Sequence, residues 1–180
     1  MRLLLHVCCG PCALYPLEVL RTEGHEVQGY FFNPNIHPYA EYVRRKETLA
    51  AYAKGEGWPV IFAKEYPVEE YFRMVVYREA ERCRFCYILR LQQAARVARH
   101  GGFEAFSTTL LVSPFQKHDL IREAGESIAS AYGLTFAYRD FRPGFKEAVQ
   151  RSKELNMYRQ KYCGCLYSEK DRFIQKGQKE

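Results

Sequence analysis

The 180-residue chain is 47% apolar and 27% charged, the balance of one ordinary soluble domain with a single hydrophobic core and little room for a second. Its longest apolar runs, Leu3 to Leu5 with Val7 and Leu110 to Val112, fall far short of the roughly 18 residues that a membrane span needs. Cys8 to Cys12 interrupt the first run where a signal peptide would need a longer apolar core, so a cytoplasmic protein with no membrane partner is expected. A net charge of +6 suits a polyanionic partner, yet many basic proteins never meet nucleic acid.

Strand and helix patterns alternate along the chain. Arg2 to Val7 reads as a short buried strand, followed by a helix that Pro11 begins and Gly24 ends. Val27 to Phe32 is a second strand, Asn33-Pro34-Asn35 a turn, and Ala40 to Lys54 a helix closed by Gly55 and Gly57. Val60 to Ala63 makes a third strand, Val68 to Val76 a helix, and Cys83 to His100 a long basic helix stopped by Gly101-Gly102. Ala105 to Ser107 is a fourth strand, Lys117 to Tyr132 a helix, Thr135 to Tyr138 a fifth strand, and Gly144 to Leu155 a helix before a polar tail. This alternation predicts a single α/β domain with a mainly parallel sheet and helices on both faces. Residues 1–174 are expected to form that domain, which would carry a metal cluster, and residues 175–180 a frayed tail.

In such sheets, sites form at the carboxyl ends of the strands. Cys8, Cys9 and Cys12 follow the first strand, with Cys12 in the first helical turn, where the helix dipole favours a thiolate. Three thiols at one strand-to-helix corner point to metal or redox chemistry more than to packing. Cys83-Arg-Phe-Cys86 opens a helix with a spacing that suits a redox pair or half a metal site. Together the two clusters satisfy tetrahedral zinc or a cubane iron-sulfur centre, which spacing does not separate. Arg82, Arg84 and Arg90 would offset thiolate charge or form a solvated basic face. Cys163-Gly164-Cys165 reads as a strained, reducible pair or as two joint metal ligands; the redox pair is preferred, because the other clusters already supply enough sulfur for one centre.

Other polar groups say less. His6 within a strand reads as a core residue, and His25, His37 and His100 as turn or surface positions. His118-Asp119, after the polar stretch Ser107-Thr108-Thr109 to Lys117, suits substrate binding or helix capping. Asp140-Phe141-Arg142 is placed for function or for a local ion pair. No glycine-rich phosphate loop of either common kind is present. Tyrosines interleave with basic residues at Tyr39 to Lys46, Tyr71 to Tyr77 and Tyr158 to Tyr162, a combination suited to single-stranded RNA loops.

His6-Val-Cys8-Cys9-Gly-Pro-Cys12, Phe32-Asn-Pro-Asn35, Cys83-x-x-Cys86-Tyr87, Ser107-Thr-Thr109 with Lys117-His-Asp119, and Tyr162-Cys-Gly-Cys165 together resemble the QueH family of epoxyqueuosine reductases, from about Leu3 to Phe173. The resemblance implies reduction of the epoxide of epoxyqueuosine at the tRNA wobble position to give queuosine. It further implies a four-iron four-sulfur cluster, a neighbouring mononuclear iron, no cobalamin, and an electron-donor protein or small reductant. The first half also looks like the fold of the tRNA-modifying ATP pyrophosphatases, with Cys8 to Cys12 in place of their phosphate loop, which argues against ATP. The resemblance implies cluster ligation by Cys8, Cys9, Cys83 and Cys86 and a redox-active pair at Cys163 and Cys165. Cys12, with one cysteine of that pair and a carboxylate such as Asp140 or Asp119, is then expected to hold the iron or the substrate. The alternatives are a zinc-stabilised RNA-binding module without catalysis and a thiol-based tRNA sulfur transferase using Cys12.

Overall fold

The computed structural model describes residues 1–177. Five parallel strands, β1 (Arg2–His6), β2 (Glu26–Phe31), β3 (Val60–Phe62), β4 (Ala105–Thr108) and β5 (Thr135–Phe136), form one sheet in the order β3-β2-β1-β4-β5. Leu3, Leu4 and Leu5 of the central β1 are wholly buried, because a parallel strand covered on both faces has no solvent side to make polar.

The helices are α1 (Gly10–Thr22), α2 (Tyr39–Gly55), α3 (Val68–Val75), α4 (Arg82–His100), α5 (His118–Tyr132), α6 (Phe145–Glu154) and α7 (Leu166–Gly177). The chain steps outward from β1 to β2 and β3, then crosses back over β1 to reach β4 and β5. Right-handed crossovers in opposite directions place their helices on opposite faces. Accordingly α1 packs with α2 and α6, while α4 packs with α3, α5, β1 and β4. The expected α/β class, with a parallel sheet and two helical layers, is the observed one.

Three expectations need correction. The polar tail after Leu155 contains α7, whose start is tied back by the Glu169 N–H to Cys165 carbonyl bond of 3.0 Å. The proposed boundary at 174/175 therefore falls inside a helix, and only residues 178–180 of the expected tail lie outside the described residues. Second, the fifth strand has two residues where four were expected. Third, His37 is buried, stacked on Phe72 and receiving the Leu166 N–H at Nδ1. Nε2 pairs with the nearby Pro34 carbonyl, but the Nδ1 partner lies 129 positions later, which a local reading of a Pro-flanked histidine does not reveal.

Candidate metal centre at the switch point of the sheet

The strand order reverses between β1 and β4, so their carboxyl ends flank a crevice, the usual ligand position in open α/β sheets. Cys8 and Cys9 leave β1 into this crevice, and Thr109 leaves β4 beside them. The Cys8 N–H donates to Thr109 Oγ1 at 3.1 Å, and the Thr109 hydroxyl donates to the Cys8 sulfur at 3.4 Å. Cys9 is the N-cap of α1 and Cys12 lies in its first turn. Glycine at position 10 lets the corner pack closely: a Cβ there would lie 2.6 Å from Met157 Cε, the flexible end of that side chain, and 3.2 Å from Thr48 Cγ2.

The sulfurs of Cys8, Cys9 and Cys12 all lie within 4.8 Å of one another. Thiol hydrogen bonds from Cys12 and then Cys9, aided by Arg90 and Thr109, hold Cys8 well below the usual thiol range. Cys12 moves well above it, chiefly through its hydrogen bond to Cys8, and burial pushes Cys9 up. One thiolate is thus solvated by two thiols, an arrangement that a cation replaces by taking the sulfurs as ligands. Gln160 Nε2 donates to the Cys9 sulfur at 3.1 Å.

Two guanidinium groups stand behind the thiols, each about 1% exposed. Arg45 has a carboxylate partner, with Nε 2.7 Å from Glu41 Oε1. Arg90 donates to Asn35 Oδ1 at 2.7 Å, while its Nη2 is buried without a partner. Burial opposes the charged form of Arg90, but the sulfurs of Cys86, Cys8 and Cys163 outweigh it and raise its affinity for the proton. An uncompensated buried cation is costly, so this donor set fits a thiolate-bound centre carrying net negative charge. Arg84, by contrast, is exposed on Glu123.

Cys83 and Cys86 lie at the start of α4. Burial raises both thiols, Cys86 to about 12, and each lies within reach of the charge of Cys163 and Cys165. Cys86 and Arg90 are four residues apart and therefore share a helix face, so Arg90 faces both thiol groups. The group that meets metal-ligand spacing among the described residues is Cys8, Cys9 and Cys12; Cys83 and Cys86 lie outside it, near enough to Cys163 and Cys165 to feel their charge. Cys163 is exposed and Cys165 buried, and all seven cysteines are free thiols. Gly164 fits between Ile36 and Arg45, where a Cβ would stand 3.2 Å from Ile36 Cγ1 and 3.4 Å from Arg45 Nη1.

A cavity of about 440 Å³ opens over the thiols, lined by Cys8, Cys12, Cys163, Thr109 and Gln160 among others. Its volume lies within the roughly 300–1,000 Å³ of small-molecule sites. Asp140 does not line it. That carboxylate is exposed, gripped by the Arg142 guanidinium at 2.6 and 2.8 Å, and held near 2 by that contact. Asp119 is fully exposed beside Arg122. The carboxylate that reaches the cavity is Asp171, bound to Arg82 at 2.6 Å. His6 is a core residue, with Nδ1 2.9 Å from Thr108 Oγ1 and Nε2 3.1 Å from the Phe32 carbonyl; burial, then Arg90, lowers it to about 4. His118 is buried at the start of α5 against the Ser113 carbonyl. Gln160, Asp171 and Arg45 carry no local sequence signal, and only the tertiary fold brings them to the thiols.

Comparison with known proteins adds a separate line of support. A protein from Methanocaldococcus jannaschii, described as a predicted subunit of tRNA methyltransferase, superposes with a TM-score of 0.57 at 16% identity, covering 86% of this chain and 75% of that one. That likeness concerns fold alone. Proteins named epoxyqueuosine reductase QueH are 40% identical in Dehalococcoides mccartyi, covering 96% of this chain and 94% of that relative. The Thermotoga maritima protein of the same name is 38% identical, covering 92% and 88%. The family described as "Epoxyqueuosine reductase QueH" matches residues 3–171, and the chain belongs to that family.

Proposed function

We propose that this protein is an epoxyqueuosine reductase, an oxidoreductase that acts on tRNA carrying epoxyqueuosine at the wobble position. The observation that carries this reading is a nucleoside-sized cavity, floored by thiols, in a chain of the QueH family. The reaction takes two electrons and two protons, breaks both epoxide C–O bonds, leaves a carbon–carbon double bond and releases the oxygen as water.

Side chains alone supply no low-potential electrons. An iron-sulfur cluster, when bound, supplies them one at a time without cobalamin. Cys8 and Cys9 with Cys83 and Cys86 are the proposed ligands of a four-iron four-sulfur cluster, and Cys12 that of a neighbouring iron. Arg90, facing Cys8 and Cys86 together, supports this allocation through charge. Cys8, Cys12 and Cys163 face the cavity, so Cys12 and Cys163 are the thiols that meet the substrate. Gln160 orients Cys9 and Cys12, and Gln116 orients Cys163 through a 3.2 Å contact. Cys163 and Cys165 form the proposed redox pair, which gives up two electrons and two protons on closing to a disulfide and is reset by an external reductant. Asp140, committed to Arg142 outside the cavity, leaves Asp171 as the nearer carboxylate.

Anaerobic reconstitution with iron and sulfide, followed by mass spectrometry of nucleosides from epoxyqueuosine-containing tRNA, tests this. Queuosine should form and the protein should be brown, with a broad band near roughly 400 nm characteristic of thiolate-bound iron. Unchanged epoxide under a strong reductant, or a colourless zinc protein, overturns it.

A further inference from the structure

Phe115 is one of the large apolar side chains that the fold leaves exposed, and it stands at the thiol cavity. Its ring is 84% exposed, although it sits on a loop secured from several directions. The Phe115 N–H donates to Ser113 Oγ at 3.3 Å, and the next residue, Gln116, accepts from the Tyr87 hydroxyl at 2.8 Å. The Lys117 N–H donates to the same Tyr87 oxygen, and Gln116 reaches the Cys163 sulfur. The ring meets Phe145 edge-on, with centroids 5.9 Å apart and planes at 84°, which leaves most of its surface to solvent. One exposed ring is ordinary by itself, but this one stands on a hydrogen-bonded loop beside Phe145 at the thiol cavity, with an open face available to a planar ligand.

The chemistry of that ligand follows from the surroundings. Phe115 and Phe145 line the cavity rim together with the exposed cations Lys161 and Arg172, whereas the acid there, Asp171, is already neutralised by Arg82. The rim is therefore aromatic and positive, the combination that holds single-stranded nucleic acid by base stacking and phosphate neutralisation. A cavity of about 440 Å³ accommodates about one modified nucleoside. The base beside that nucleoside then has to remain outside, at the rim.

We propose that Phe115 is the stacking platform for the anticodon-loop base adjacent to the modified nucleoside, with Lys161 and Arg172 contacting the flanking phosphates. This rests on the tRNA reading above and adds the surface that reads the RNA around the reacting nucleoside. Stacking of this kind tolerates any base, since each presents a π face.

The probe is an anticodon stem-loop RNA with unmodified guanosine at the wobble position and 2-aminopurine beside it, titrated into the reconstituted enzyme. Wild-type protein should quench the 2-aminopurine on binding. Phe115→Ala should lose the quench and bind about tenfold more weakly, Phe115→Trp should restore both, and Lys161→Ala or Arg172→Ala should each reduce the salt slope by about one. Absence of quenching in the wild type, or full quenching and affinity in Phe115→Ala, overturns the proposal. Turnover is read separately. Enzyme that quenches the probe but leaves epoxyqueuosine unreduced sinks the reductase reading alone, whereas reduction of tRNA without Phe115-dependent quenching sinks the stacking proposal alone.

Discussion

The buried guanidinium of Arg45, on α2, donates through Nη1 to the carbonyl of Cys163 at 2.8 Å, 118 positions later in the chain, and through Nη2 to the Tyr162 carbonyl at 3.1 Å. Glu41 Oε1 holds the same guanidinium, and Glu41 Oε2 accepts from the Tyr158 hydroxyl at 2.6 Å. One buried ion pair thus sets the path of the chain from Tyr158 to Cys165, and with it where the Cys163 sulfur meets the cavity.

That pair makes Glu41 a stability residue. Glu41→Gln keeps the shape but leaves Arg45 without its carboxylate in the interior. Breaking one side of a buried pair costs about 3–5 kcal/mol. Guanidinium denaturation of the variant should show a loss of that size. A change under about 1 kcal/mol would assign the compensation of Arg45 to the sulfurs instead.

Arg90 should affect the metal-free and loaded proteins differently. Arg90→Met removes a buried Nη2 that has no partner among the described residues but also takes the donor from Asn35 Oδ1, so the melting temperature of metal-free protein should stay unchanged or fall slightly. In the loaded protein the same change removes a cation beside an anionic centre. Iron retention should fall, and the reduction potential should drop by about 60 mV for a tenfold loss in electron affinity. An equal melting-temperature change in both forms, with an unaltered potential, would refute this placement.

Cys12 is the least buried of the three clustered thiols and faces the cavity. Cys12→Ala should abolish deoxygenation while the visible absorbance of the cluster persists. Loss of the whole chromophore would make Cys12 a cluster ligand and remove the proposed division of labour.

Packing between α1 and α6 depends on Gly144, where an added Cβ would lie 2.2 Å from Tyr15 Cγ. Gly144→Ala should destabilise the fold by about 1–3 kcal/mol, as overpacking does, readable as a lower denaturant midpoint with little change in slope. Because Gly144 does not line the cavity, activity per folded molecule should be retained.

Periodicity alone made the layer architecture legible. Leu3 to Leu5 form a continuous apolar run because β1 is buried on both faces, and Gly24 and Gly133, at φ 82° and 63°, end helices as glycines in the left-handed region do. Helix α7 was not legible, since its apolar positions Leu166, Phe173 and Ile174 remain about half exposed and make a weak pattern among charges. The first thiol cluster was visible as a motif because its three members sit on one strand-to-helix corner, where local geometry already brings the sulfurs together. The joining of that corner to Arg90, Arg45, Gln160 and the C-terminal cysteines was not, because those partners lie on other elements remote in sequence and depend on which crossover passes over which strand. Residue types and local spacing determined that there would be thiol chemistry at the carboxyl edge of a parallel sheet. The tertiary structure decided which buried charges face the sulfurs, that Asp140 stays outside, and that Phe115 stands at the rim, because each of these depends on packing between segments remote in sequence.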